Sequence, residues 1–115
     1  MAIRIPLNFF RRVSTAVTTT QQPIYTVPFD RASIIISAYA TNLTDEVQTI
    51  SVKLSTVALS GSMYTIVSGW PILPYDATNI VINKIVLTED DSFIVLAGNN
   101  NAVNINLSIL ESVNT

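Results

Sequence analysis

The sequence predicts a single antiparallel β-sandwich, of jelly-roll or immunoglobulin-like type, with an extended N-terminal arm. Three observations lead there. Residues 32–56 and 79–111 alternate apolar with small neutral-polar side chains, the period of strands with one face buried. Val and Ile supply 27 residues and Thr another 13, whereas Glu and Lys, the usual surface helix formers, supply five. The 115 residues suit one core, and the absence of cysteine removes disulfides as staples.

The first segment, residues 1–22, differs from the rest. It holds Arg4, Arg11 and Arg12 with no acidic residue and runs into Thr18-Thr19-Thr20-Gln21-Gln22. Ile3, Ile5, Leu7 and Phe9 fall on alternate positions, so an extended chain presents them as one apolar edge. Two readings stand: an edge strand of the chain's own sandwich, or an arm docked on a neighbouring subunit. Pro6 restricts either to an edge. We take residues 1–22 as an arm and residues 23–115 as the sandwich domain. Deleting the arm is then expected to leave a folded domain that no longer binds its partner.

Residues 23–28 read as a short strand between prolines, and Phe29-Asp30-Arg31 as a turn. In the next strand Ala32, Ile34, Ile36, Ala38 and Ala40 are expected to face the core, with Ile35 the exception on the outer face. Asn42 to Glu46 reads as the turn of a hairpin returning through Ile50, Val52 and Leu54. Gly61 interrupts the pattern, residues 63–67 form a short strand, and Ser68-Gly69-Trp70-Pro71 reads as a turn. Pro71 and Pro74 confine the following stretch to an edge or loop. Residues 79–87 read as a strand, Thr88-Glu89-Asp90-Asp91 as a turn, and residues 93–96 as a strand. After Gly98-Asn99-Asn100-Asn101 the last strand alternates Val103, Ile105, Leu107 and Ile109 with Ala102, Asn104, Asn106 and Ser108.

Composition bounds the function. Charged residues make up 12% of the chain, against roughly 25% in ordinary soluble domains. Ser, Thr and Asn, 34 in all, take over the polar role. Sparse charge weakens the repulsion between copies and fits an exterior partly covered by partners. Six cations in a chain of net charge −2 build no basic face, so nucleic acid is not an expected partner. No run reaches membrane-spanning length and the N-terminus lacks a secretory core, so no membrane is expected and synthesis is placed in the cytosol. Without His or Cys, catalysis would fall to carboxylates, and only Glu89-Asp90-Asp91 clusters them. That triplet reads as a solvated turn, ahead of a calcium site or a glycosidase dyad. We therefore expect no enzyme, metal or cofactor.

Two contact sites are candidates. Phe9-Phe10-Arg11-Arg12 joins aromatic and guanidinium groups, the residue types that anchor interfaces, and with Ile3, Ile5 and Leu7 forms the partner-interface candidate. Trp70 and Tyr75, beside Pro71 and Pro74, could form a ligand shelf for sugar; the alternative is a Trp that plugs the end of the core.

Pro23-Ile24-Tyr25-Thr26-Val27-Pro28 followed by Arg31-Ala32-Ser33-Ile34-Ile35-Ile36-Ser37 and Asn42 resembles a pattern in small virion proteins of tailed bacteriophages. Residues 85–93 and 103–111 are similar to the end of that pattern. Where those proteins carry Gly in the first turn and Gly-Asp in the later one, this chain has Pro28-Phe29-Asp30 and Glu89-Asp90-Asp91. The resemblance implies a non-enzymatic virion structural protein, first a capsid decoration or cement subunit in contact with a major capsid protein. It also implies homo-oligomers, with trimers favoured. The alternatives are a neck or tail accessory subunit, or a carbohydrate-binding module.

Overall fold

The computed structural model describes residues 7–56, 62–81 and 83–113, and among them every regular element is a strand. In chain order these are β1 (Leu7–Ala16), β2 (Gln22–Thr26), β3 (Arg31–Asn42), β4 (Gln48–Thr56), β5 (Ser62–Ile72), β6 (Ala77–Asn79), β7 (Ile85–Leu87), β8 (Ser92–Ala97) and β9 (Val103–Val113). One sheet has the order β1-β9-β3-β6, with β7 also on β3, and the other has the order β2-β8-β4-β5.

The pairing is nested. β1 pairs β9, β2 pairs β8, β3 pairs β6 and β7, and β4 pairs β5, all antiparallel. β6 lies on Tyr39–Thr41 and β7 on Ser33–Ile35, so together they act as one interrupted edge strand. Such a chain is a long ribbon folded once near β4 and β5 and then rolled, with β9 stitched to β3 and β8 to β4. This is the jelly roll, and the nesting excludes the immunoglobulin strand order.

Nesting corrects two expectations. The segment from residue 42 to residue 47 is not a hairpin turn, because β3 and β4 lie in different sheets and the chain arches between them. Alternation marks strands but does not say which strand each one pairs. The segment read as an arm is, from Leu7 onward, the first strand of the roll, paired with β9 over all ten residues. No boundary therefore separates it from the sandwich at residue 22, and a deletion through that residue would strip β9 of one of its two partners and leave it as an edge. Ile3 and Ile5 lie outside the described residues, as does Gly61.

β3 also reverses the expected facing of its first half. A bulge between Ile35 and Ser37 shifts the pairing with β9 by one residue. Ahead of it Ser33 and Ile35 point inward and Ile34 outward; beyond it Ala38 and Ala40 point inward as expected. Ile35 is thus a core residue. It belongs to the core cluster between the sheets, together with Tyr25, Val27, Ile50, Val52, Phe93, Val95, Ile105, Leu107 and Ile109. Strand β5 continues through the expected turn at residues 68–71, because a bulge at Gly69, in the left-handed region at φ 59°, restores pairing of Trp70 with Ile50. Its Pro71 is tolerated because β5 is an edge.

The arches are held by polar side chains. Buried Asn42 donates to the carbonyls of Glu46 (2.6 Å), Ile72 (3.0 Å) and Leu73 (3.2 Å). Its Oδ1 accepts from the backbone N–H and hydroxyl of Thr44. One amide thereby closes the end of the sandwich where β3 leaves and β5 ends.

Candidate functional site

The alternation of β1 divides Phe9-Phe10-Arg11-Arg12 between the two faces of the first sheet. Phe9 lies opposite Glu111 and Arg11 opposite Ile109, both on the inner side, whereas Phe10 lies opposite Leu110 and Arg12 opposite Ser108 on the outer side.

On the inner side the residues converge on Glu111, whose side chain is fully buried. Arg11 Nε donates to its Oε1 at 2.9 Å, and Arg31 Nη1 donates to the same oxygen at 2.8 Å. Oε2 accepts from the Tyr25 hydroxyl. The phenol has one proton and spends it there, so the Ser33 hydroxyl, 2.7 Å away, donates to Tyr25. The Arg31 guanidinium lies 5.1 Å from the centre of the Phe9 ring, within cation–π range. The cluster joins β1, β2, β3 and β9 and so ties the two sheets together at one end.

Burial by itself would push the Glu111 carboxyl up, but hydrogen bonds from Tyr25, Arg31 and Arg11 and the nearby Arg11 charge more than reverse this, and its pKa falls below the ordinary value. The Tyr25 phenol is pushed up to about 12, first by burial and then by its hydrogen bond to Glu111. Glu111 therefore stabilises the fold above the unfolded carboxyl pKa, and that contribution is lost as pH falls through its depressed folded value. Tyr25 contributes fully below pH 10.0, and its contribution is lost as pH rises from there to about 12. Stability is expected to be flat between about pH 5 and 10 and to fall on both sides. Urea titrations across this range check it, and Tyr25→Phe should shift the alkaline limb upward.

On the outer side, four strands place apolar residues in one row. Phe10 of β1 faces Leu110 of β9, Leu110 faces Ile34 of β3, and Ile34 faces Val86 of β7. Directly opposed residues in such a ladder have Cβ atoms within about 5.5 Å of each other, so the row is continuous. Phe10 is 83% exposed and Val86 66%, with Leu110 and Ile34 half-buried between them. The β3 bulge adds Ile36, which lines a shallow depression with Phe10 and Arg12. Farther along the face the row gives way to Ser14, Asn106 and Tyr39, with Ser14 donating to Asn106. An apolar row across the outer face of a sheet whose remaining outward residues are mostly polar is the surface feature most suited to a partner.

The remaining candidates lie elsewhere. Leu7 opens β1 opposite Val113. Trp70 packs partly against the core and lines an open groove of about 420 Å³ with Ile66, Ile80, Val81 and Ile85, where edge strand β5 faces the edge formed by β6 and β7. Tyr75 is not part of this groove. It lies in the β5–β6 connection, 73% exposed at φ 54°, with its N–H on the Thr44 carbonyl. Trp70→Ala is expected to cost about 2 kcal/mol, less than a fully buried aromatic, and a thermal melt measures it. In the acidic triplet, Asp91 turns inward, and its Oδ2 accepts from the Thr88 N–H and hydroxyl at 2.9 Å each. Asp90 takes the left-handed conformation at φ 65°. The triplet closes the β7–β8 arch, and no metal-holding group of three such residues occurs among the described residues. Asp91→Ala should cost about 1 kcal/mol, while calcium should leave the melting temperature of the parent chain unchanged.

Glu111 is absent from the sequence-derived candidates, although the sequence carries its signal. It occupies the fifth inward position of Val103, Ile105, Leu107, Ile109 and Glu111, a carboxylate in the buried phase of a strand. Ile34, Leu110 and Val86 carry no comparable signal, because their alignment depends on register.

No family model matches this chain, and no curated protein matches it in sequence. Solved structures do match in fold. A chain from the disulfide-linked pili formed by Bacillus endospore appendages aligns with a TM-score of 0.60 at 10% identity, covering 98% of this chain and 91% of that one. A chain of the T13 infectious bursal disease virus particle aligns with a TM-score of 0.58 at 5% identity, covering 95% of this chain and 31% of that one. A chain of the Gx strain of that virus aligns at 0.57 and 7% identity, covering 96% and 34%. The chain thus matches nearly the whole of the pilus chain and spans about a third of each viral chain.

Proposed function

We propose that this chain is a non-enzymatic structural subunit of an ordered assembly, and that the assembly is a tailed-phage virion on which it acts as a capsid decoration or cement subunit. The observation that carries the assembly role is the apolar row Phe10, Leu110, Ile34 and Val86, two of whose four side chains are largely bare in the isolated chain. Covering it against a neighbouring subunit supplies a hydrophobic contact, and many copies combine weak contacts by avidity. Fold likeness to chains of a virus particle and of a pilus supports a building-block role. The phage assignment rests on the sequence pattern of residues 23–111.

A second reading, a fibre subunit, is favoured by the match to almost the full length of a pilus chain. Those pili are disulfide-linked; this chain has no cysteine, so a fibre made of it would be held by non-covalent contacts alone. Light scattering of the purified protein, electron microscopy and binding to emptied phage capsids separate the readings. Discrete oligomers that bind capsids saturably support the decoration role, with a trimer the expected ring. Filaments without capsid binding support the fibre. A monomer that binds no capsid overturns both.

A further inference from the structure

The slot that β1 occupies is built by other strands, and it holds β1 from one side. Among the described residues β1 pairs only with β9, and of residues 8–16 none is fully buried, with Val13 and Thr15 half-buried. The slot is nonetheless specific. Glu111 of β9, fully buried, offers a carboxylate to a guanidinium arriving along the edge, and Arg31 of β3 offers its face to an aromatic ring two residues before that guanidinium. Tyr25, which donates to the other carboxylate oxygen, and Ser33, which donates to Tyr25, both lie outside β1. Beyond β1, Val17 and Thr18 are fastened by backbone bonds to Val103 (2.8 Å), Asn101 (3.3 Å) and Ala97 (2.9 Å).

The connection to β2 is different. Thr19, Thr20 and Gln21 are exposed, and among the described residues the sole bond from them to the other strands and arches is Thr19 N–H to Asn100 Oδ1. These residues carry the chain from one sheet to the other. Pro23 restricts Gln22 to extended conformations, so a straightened connection points β1 away from its own sandwich.

We propose that β1 is exchanged between copies. The strand of one copy, through Thr18, fills the slot beside β9 of the next, placing its Arg11 on that copy's Glu111 and its Phe9 against that copy's Arg31. The occupant is a second copy because the slot's requirements, an aromatic and an arginine two residues apart on an extended strand, are met by Phe9 and Arg11. The pairing that β1 gives up in its own sandwich it makes again in the next, so the exchange costs only the rearrangement of three exposed residues and the entropy of association. This inference rests on the assembly reading and adds a mechanism to it: exchange along a row of copies links each subunit to the next without cysteine.

The cysteine-free chain allows a direct test. Ser14 and Asn106 are directly opposed on the outer face of β1 and β9. Ser14→Cys and Asn106→Cys are made in separate chains, one of them isotope-labelled; the two are refolded together, oxidised, and digested for mass spectrometry. The doubly substituted chain is oxidised in parallel, and Arg12→Cys with Ser108→Cys repeats the test one pair along. Exchange gives linked peptides joining position 14 of one chain to position 106 of the other, and a covalent ladder from the double variant. A double variant that closes within its own chain, with no linkage between the mixed single variants at either pair, overturns exchange. Light scattering of the parent chain is read separately. An oligomer whose disulfides are all intrachain defeats exchange and leaves the assembly reading standing, whereas a monomer that binds no capsid defeats that reading.

Discussion

Glu111→Ala is expected to lower the stability of the fold by about 3 kcal/mol, and Glu111→Gln by roughly half as much. The carboxylate is the common acceptor for Arg11, Arg31 and Tyr25, so alanine removes one group and leaves three donors without their partner. The arginines do not suffer equally. Arg11 is half exposed and can hydrate, whereas Arg31 is mostly covered and Tyr25 is buried, so the cost falls mainly on the last two. That places the loss at the lower end of what a broken buried ion pair costs. Glutamine retains acceptor capacity at one oxygen but has no charge to offset Arg31. In a chain of this size the alanine loss corresponds to a fall in melting temperature of roughly 10 to 20 °C. Circular dichroism melts and urea titrations at pH 7 check both values. The gap between alanine and parent should narrow as pH falls below the ordinary carboxyl range toward the depressed folded value of Glu111. A gap that persists unchanged in acid would show that packing, not charge, sets the effect.

The same cluster shows what in this fold is legible from sequence. Alternation identifies most of the strands, because period-two patterning is a local property of each strand. It does not identify sheet partners: the arch from β3 to β4 and a hairpin have the same turn residues between the same kinds of strand. Phase fails at Ile34-Ile35-Ile36, where three identical side chains fit either facing and the bulge that decides between them is set by pairing with β9. The candidate site is legible in part. Phe10 and Arg12 do present an outward surface, but Phe9 and Arg11 of the same run turn inward to Arg31 and Glu111. The three residues that complete the outer row come from β3, β7 and β9, distant in sequence, and only the register brings them to Phe10.

Paired Phe10→Asp and Val86→Asp substitutions are expected to weaken association through the outer face at least a hundredfold, leaving any strand exchange intact, while moving the melting temperature of the dissociated chain by no more than a few degrees. The two residues lie at opposite ends of the row, on edge strands, and both are largely solvent-exposed in the isolated subunit, so the folded monomer gives up little packing when they change. In an assembly the same positions would be covered. An aspartate buried there without a partner must either shed its hydration or take up a proton, and either cost is on the order of several kcal/mol per contact. A hundredfold loss needs only about 3 kcal/mol, so the two substitutions together should suffice. The inner side of β1 is untouched by these changes: Arg11 still reaches Glu111, and Phe9 still faces Arg31. The variant therefore separates the two surfaces of one strand. Light scattering over a dilution series gives the assembly constant, and a thermal melt of the dilute protein gives the fold. Loss of assembly with an intact melt assigns the contact to the outer face; assembly that survives both charges removes the apolar row from the interface.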